Sequence, residues 1–233
     1  TFHFAAGTYN FGETIRLTYN EVVTLEFLGG YDANGNRNAE NNVTVFTGNN
    51  EHRIFNFASE MQCKFDGINF VNGYAEKGGA IVASLGSYSF TGCNFSENES
   101  VAGGGAILFS AGGSAIFENC EFNNNECTPL SPDLDDKALG GTIYCNSKTT
   151  DLVLTFKGCV ASDNTAYRGG FICSYGAKIN IINSTLTGNE SRRGGGVFYL
   201  SPAADLTVEN CVFTENKALY GATINADSQV VVN

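Results

Sequence analysis

One short phrase recurs six times along the chain, and the spacing of its copies leaves few folds open. Its fullest form is Phe90-Thr91-Gly92-Cys93-Asn94-Phe95-Ser96-Glu97-Asn98, followed by Gly104-Gly105-Ala106-Ile107. The copies centre on Ile68, Cys93, Cys120, Cys159, Ser184 and Cys211, so the steps between them are 25, 27, 39, 25 and 27 residues. A period of this size belongs to stacked units, each of which buries its apolar face only against its neighbours. The 39-residue step reads as a normal unit carrying an insertion of roughly a dozen residues around Cys127 to Lys137.

Within each unit Phe-x-[Gly/Asn], Cys-x-Phe and Gly-Gly-Ala-Ile are short, β-branched or aromatic, and bounded by Gly or Asn. That pattern reads as strand and turn, and no segment of helical period competes with it. About 25 residues with three short strands make one coil of a right-handed parallel β-helix, an all-β solenoid in which equivalent residues lie about 4.8 Å apart. Columns follow from the alignment. Phe70, Phe95, Phe122, Leu186 and Phe213 form an inward stack, thinned at Ala161. Cys93, Cys120, Cys159 and Cys211 form a second, with Ile68 and Ser184 in the same place. Asn98, Asn125, Asn164, Asn189 and Asn216 share one turn position, where side-chain amides can pair between coils and satisfy turn backbone groups. The paired glycines suit a bend that needs positive φ or close backbone approach.

Residues 1–60 read as less regular opening coils of the same single domain, and 61–233 as regular coils interrupted near 127–138. Strand candidates in the opening part are Phe2 to Tyr9, Ile15 to Leu17, Val22 to Leu28, Thr44 to Phe46 and Ile54 to Phe57, with Gly29 to Asn36 as a long turn. Val230-Val231-Val232-Asn233 is a bare strand without a polar cap, so the chain reads as a piece of a longer solenoid with end-to-end self-association open to it.

Composition bounds the partners. A net charge of −11 lacks the basic face that nucleic acid requires, and no apolar stretch approaches the 18 residues of a membrane-spanning helix. An acidic, Gly- and Asn-rich chain suits an extracellular or cell-surface location. The 8 Cys have two readings, a disulfide framework or small buried apolar residues in a ladder. Cys127 and Cys145 bracket the insertion and could bridge it, while Cys63 and Cys173 read as core. No CxxC and no His beside a Cys points to a metal.

Gly78-Gly79-Ala80-Ile81 and Gly104-Gly105-Ala106-Ile107, together with Phe95 to Asn98, Phe122 to Asn125 and Phe213 to Asn216, resemble the repeat signature of the polymorphic outer membrane protein family of adhesins and autotransporters. The likeness covers residues 65 to 225, and Gly140-Gly141-Thr142, Gly169-Gly170-Phe171 and Gly195-Gly196-Val197 depart from it. The opening segment is similar to secreted right-handed β-helix proteins of the pectin-lyase-like superfamily. The resemblance implies a non-catalytic adhesin-like binding or structural module, with a carbohydrate or a cell-surface protein as partner.

Chemistry has to be argued from sites, because one fold hosts many functions. A polysaccharide lyase or glycoside hydrolase acting on acidic polysaccharide would need paired carboxylates, or a carboxylate cluster for Ca²⁺ with a basic residue. The acidic candidates are Asp133, Asp135 and Asp136 in the insertion. The basic candidates are Lys77, Arg168 and Arg193, which precede glycine runs and so share one edge of the solenoid. Asp32-Ala33-Asn34-Gly35-Asn36 has the flavour of a Ca²⁺ loop but lacks the closing acid and reads as a plain turn. No catalytic residue and no resident cofactor are legible. An architectural filament is the third class.

Overall fold

The computed structural model describes residues 1–131, 137–147, 151–227 and 229–232. One coil contributes four strands in turn, Gly86–Thr91, Asn94–Ser96, Glu99–Ser100 and Ile107–Phe109. Stacking of the coils builds four sheets, termed I to IV in that order. Among the described residues they contain nine, eight, six and eight strands, and neighbouring coils pair in parallel throughout. The register runs Phe2, Phe27, Phe65, Phe90, Phe117, Phe156, Ile181, Val208, Val232. A coil without insertions therefore takes 24 to 27 residues, and two coils take 38 and 39.

The structure divides the dozen extra residues of the longest coil between two turns. The offset to the previous coil is 27 at Ser100 and Cys127, 36 at Ile107 and Ile143, and 39 at Gly113 and Leu152. Most of the insertion thus follows Cys127, and the rest lies between sheets IV and I. The other long coil corrects the reading of residues 29–36. Gly29, Gly30 and Tyr31 end a strand that spans Val23–Tyr31. Gly29 is needed because a Cβ there would lie 2.3 Å from the Gly67 carbonyl oxygen. The extra loop begins only at Asp32 and returns through Arg37, which bonds the Gly29 carbonyl and pairs with Asp66.

Alternation in the strands decides what fills the interior. Sheet I sends every second side chain inward, so Phe27, Phe65, Phe90, Phe117 and Phe156 stack with centroids 4.7, 5.2, 4.8 and 4.7 Å apart. Sheet II adds Phe70, Phe95 and Phe122 at 4.8 and 5.3 Å, edge-on to the first stack. The second stack reaches Ala161 and resumes at Leu186. At the thin point Phe171, which stands where earlier coils carry Ala80, Ala106 and Thr142, puts its ring 5.2 Å from Phe122 and 5.6 Å from Phe156. The departure from Gly-Gly-Ala at residue 171 therefore replaces the core volume missing at 161.

Turn chemistry explains the rest of the phrase. The turn from sheet I to II places Gly67, Gly92, Asn119, Gly158, Asn183 and Asn210 at φ between +50° and +66°, which accounts for Phe-x-[Gly/Asn]. After it the thiols of Cys120, Cys159 and Cys211 donate to the Phe90, Phe117 and Ile181 carbonyls at 3.4 to 3.5 Å. At the turn from II to III the side-chain amides run Asn98, Asn125, Asn164, Asn189, Asn216, each Nδ2 donating to the next Oδ1 at 2.9 to 3.1 Å. Gly73 holds the ladder position in the first of these coils, where its N–H donates to Asn98 Oδ1. In the bend from III to IV the first glycine takes φ near +60° to +70°, while a Cβ on the second would lie 2.0 to 2.3 Å from the next coil's carbonyl oxygen.

Candidate functional site

Sheet III has the fewest strands of the four, six among the described residues. Its outward column runs Tyr74, Glu99, Glu126, Thr165, Glu190, Lys217. The strands begin as residue pairs and lengthen to Thr165–Arg168 and Glu190–Gly194. Between these two the register slips. Thr165 faces Glu190, Ala166 faces Ser191, but Arg168 faces Gly194. The later strand therefore carries one residue too many, a bulge that places Arg192 and Arg193 where its neighbour has Tyr167 alone.

The insertion after Cys127 leans on this wall. Cys127, Ala138 and Ala166 make a small buried cluster with Tyr167 against it, and beside them lies a cleft of about 230 Å³. Glu126, Thr128, Thr165, Tyr167, Glu190 and Arg192 are among its lining residues. Glu126 and Glu190 flank Thr165 on successive coils, so their backbones stand two strand spacings apart, about 10 Å. The Glu126 carboxylate accepts a hydrogen bond from the Thr128 hydroxyl.

Around the next corner the middle of the outer face of sheet IV is apolar, between Asn56 and Asn225 of the same column. Leu108, Tyr144 and Cys173 are covered by Leu139 and packed by Tyr175 and Tyr199. Arg168 caps this cluster, its guanidinium carbon 5.6 Å from the centroid of the Tyr167 ring and 5.3 Å from that of Tyr199. Its Nε is buried and has no hydrogen-bond partner. Arg193 Nη1 donates to the Tyr167 hydroxyl at 3.3 Å. That bond raises the Arg193 guanidinium above its ordinary range, so the group stays charged at any working pH.

One carboxylate of the column is placed at a cost. Burial, and then the charge of Glu126 one coil away, push the Glu99 carboxyl above its ordinary range. The folded chain therefore holds the Glu99 proton more tightly than the unfolded chain does. Its contribution favours folding at low pH and is lost as pH rises past the ordinary carboxyl range. Glu99→Gln should raise stability at pH 7 by about 0.3 kcal/mol, the low end for facing like charges on a solvent-screened wall. It should change little at pH 3. Urea midpoints at the two pH values check this, and equal gains at both would refute the electrostatic cause.

The three basic candidates divide. Arg168 and Arg193 meet at Tyr167, but they are not register equivalents, because the bulge puts Gly194 opposite Arg168. Lys77 lies three coils away along the same bend, reached through the Gly78–Gly103, Gly104–Leu139 and Gly140–Arg168 backbone bonds. That is about 14 Å along the axis, and its carbonyl is held by Arg53. Asp133, Asp135 and Asp136 lie outside the described residues. The Asp32 carboxylate is taken up by its own turn, accepting from the Asn34 and Asn36 amides and from the Asn36 side chain at 2.8 to 3.0 Å. Among the described residues no group of three or more His, Cys, Asp or Glu is placed to hold a metal ion, and no helix is long and apolar enough to cross a membrane.

All eight cysteines are free, and all but Cys211 are buried. Cys127 belongs to the small cluster on sheet III and Cys145 to the central core. Cys173 points outward from sheet IV into the tyrosine cluster, whereas Cys63 lies in the central core. Burial pushes the Cys63 and Cys145 thiols up to about 12, and the Cys127 thiol to about 11, which leaves them inert as nucleophiles.

Tyr167, Glu126, Glu190 and Arg192 are absent from the sequence candidates. Counting finds the bulge, since four residues separate Asn164 from Gly169 and five separate Asn189 from Gly195. Searches of curated proteins and of solved structures returned no match. The profile described as the right handed beta helix region matches residues 29–233. Strand order, register and this match agree, and the chain belongs to the right-handed β-helix family.

Proposed function

We propose that the chain is a non-catalytic binding module of an extracellular or cell-surface β-helix, and that it holds a carbohydrate at the cleft on sheet III. The observation that carries this reading is the meeting of one aromatic ring, Tyr167, with Glu126, Glu190 and Arg192 around a single cleft. A tyrosine offers an apolar face and a polar tip to a sugar ring, while carboxylates accept from hydroxyls and a guanidinium donates. A volume of about 230 Å³ falls below the usual range for an enclosed small-molecule pocket. It suits one or two sugar units of a longer glycan lying along an open wall.

Titration of glycans selected on an array should give binding that Tyr167→Ala weakens roughly tenfold, with the far-ultraviolet spectrum unchanged. Absence of binding to any glycan would remove the proposal. A polysaccharide-cleaving enzyme is the second reading, favoured by the presence of two carboxylates, Glu126 and Glu190, on one cleft wall, since such enzymes work with a pair of acids. Against it, both glutamates are exposed, and a general acid needs an apolar setting to stay protonated. Cleavage of a polysaccharide by the chain, lost in Glu126→Gln or Glu190→Gln, would decide for the enzyme.

A further inference from the structure

We propose that the arginines gathered at Tyr167 form a receptor for a tetrahedral oxyanion ester, a sulfate or phosphate group borne on the glycan that the cleft holds. This rests on the binding reading above and names the chemistry recognised. The chain has 13 Lys and Arg against 24 Asp and Glu, yet three arginines converge on one tyrosine. Arg168 lies against the Tyr167 ring, Arg193 donates to its hydroxyl, and Arg192 stands beside it on the cleft wall.

The bulge makes this convergence, because an unbulged strand would offer a single residue where Arg192 and Arg193 stand. Bulges beside functional sites re-aim side chains in this way. Arg168 completes the group from behind the cleft: its guanidinium lies over the Tyr167 ring and donates to the Tyr175 hydroxyl, which fixes a positive charge beside the cleft wall.

Forked guanidinium donors match the several oxygens of a sulfate or phosphate, whereas a planar carboxylate engages one fork. The carboxylates of Glu126 and Glu190 in the same cleft disfavour a ligand charged on every sugar, so the fitting ligand is hydroxylic with a single ester.

The test has two arms. Thermal shifts of the whole chain are measured with inorganic sulfate, inorganic phosphate and acetate at equal ionic strength. Titrations then compare one array-selected glycan in sulfated, phosphorylated, carboxylated and unsubstituted forms. The tetrahedral anions should raise the melting temperature and acetate should not. The better ester should bind about tenfold tighter than the carboxylate, and Arg193→Ala, an exposed position, should remove that advantage. The ranking of sulfate against phosphate identifies the ester. Equal binding of all four glycan forms would overturn this inference and leave the glycan reading standing. A shift with inorganic anions but no glycan binding would overturn the glycan reading instead. An ester preference that survives both Arg192→Ala and Arg193→Ala would place the receptor elsewhere and overturn it too.

Discussion

Asn125→Ala is expected to destabilise the solenoid by about 3 kcal/mol or more. Asn125 is fully buried and serves three neighbours. Its Oδ1 accepts from the Asn98 N–H at 3.1 Å and from Asn98 Nδ2 at 3.0 Å, while its Nδ2 donates to the Phe95 carbonyl at 2.8 Å and to Asn164 Oδ1. Truncation leaves the Asn98 N–H facing apolar core, and an unmet buried donor costs more than a made bond contributes. Asn125→Asp should be no better, because a carboxylate has no donor for the Phe95 carbonyl and would face Asn164 Oδ1. Asn216→Ala, at the half-buried end of the ladder, should cost about 1 kcal/mol. Urea midpoints at unchanged slope provide the comparison. Similar losses at 125 and 216 would mean that the ladder acts through something other than buried hydrogen bonding.

The second large effect concerns a coupled pair. Phe171→Ala should cost about 3–5 kcal/mol, the usual loss for a buried ring, because residue 161 is already an alanine and leaves the site unfilled. Ala161→Phe alone should also destabilise, by about 1–3 kcal/mol of overpacking against Phe171. The double variant restores the continuous Phe stack and the Gly-Gly-Ala motif of the earlier coils. It should recover most of the loss, with a coupling of about 2 kcal/mol or more between the sites. Additive losses would show that Phe171 does not occupy the space left by Ala161.

Fold and site were unequally readable from the chain. The phrase itself dictates the coil, since its Phe, Asn and Gly positions each answer a demand that stacking repeats identically. Residues 65–225 are therefore read almost coil by coil. The opening coils are harder, because Gly29 and Gly30 look like a turn, whereas Gly29 answers to Gly67, 38 residues later, and Gly30 to Ala39 across the extra loop. The stack through Phe65, Phe90, Phe117 and Phe156 follows from the same repeat, because each residue opens its Phe-x-[Gly/Asn] element and falls into one column once the coils pair.

The site fared worse. Arg168 and Arg193 stand out as basic residues before glycines, but Glu126 and Glu190 fall at strand positions where most coils place a plain surface residue. They lie 64 residues apart and become neighbours across Thr165 only once the insertion is assigned to its turns.

The glycines whose absent Cβ would strike the next coil act as a keyway. Five of them, from Gly79 to Gly196, lie against the carbonyl of the coil above at a distance no side chain could share, so two coils can seat in one alignment only. An insertion such as that after Cys127 can lengthen a coil's rim, and the following coil still re-engages at Gly140-Gly141. Such a chain can gain or lose length in whole coils, or in loops at its rim, with the remaining coils kept in step. Its recognition surface can thus change while the shaft that carries it stays constant.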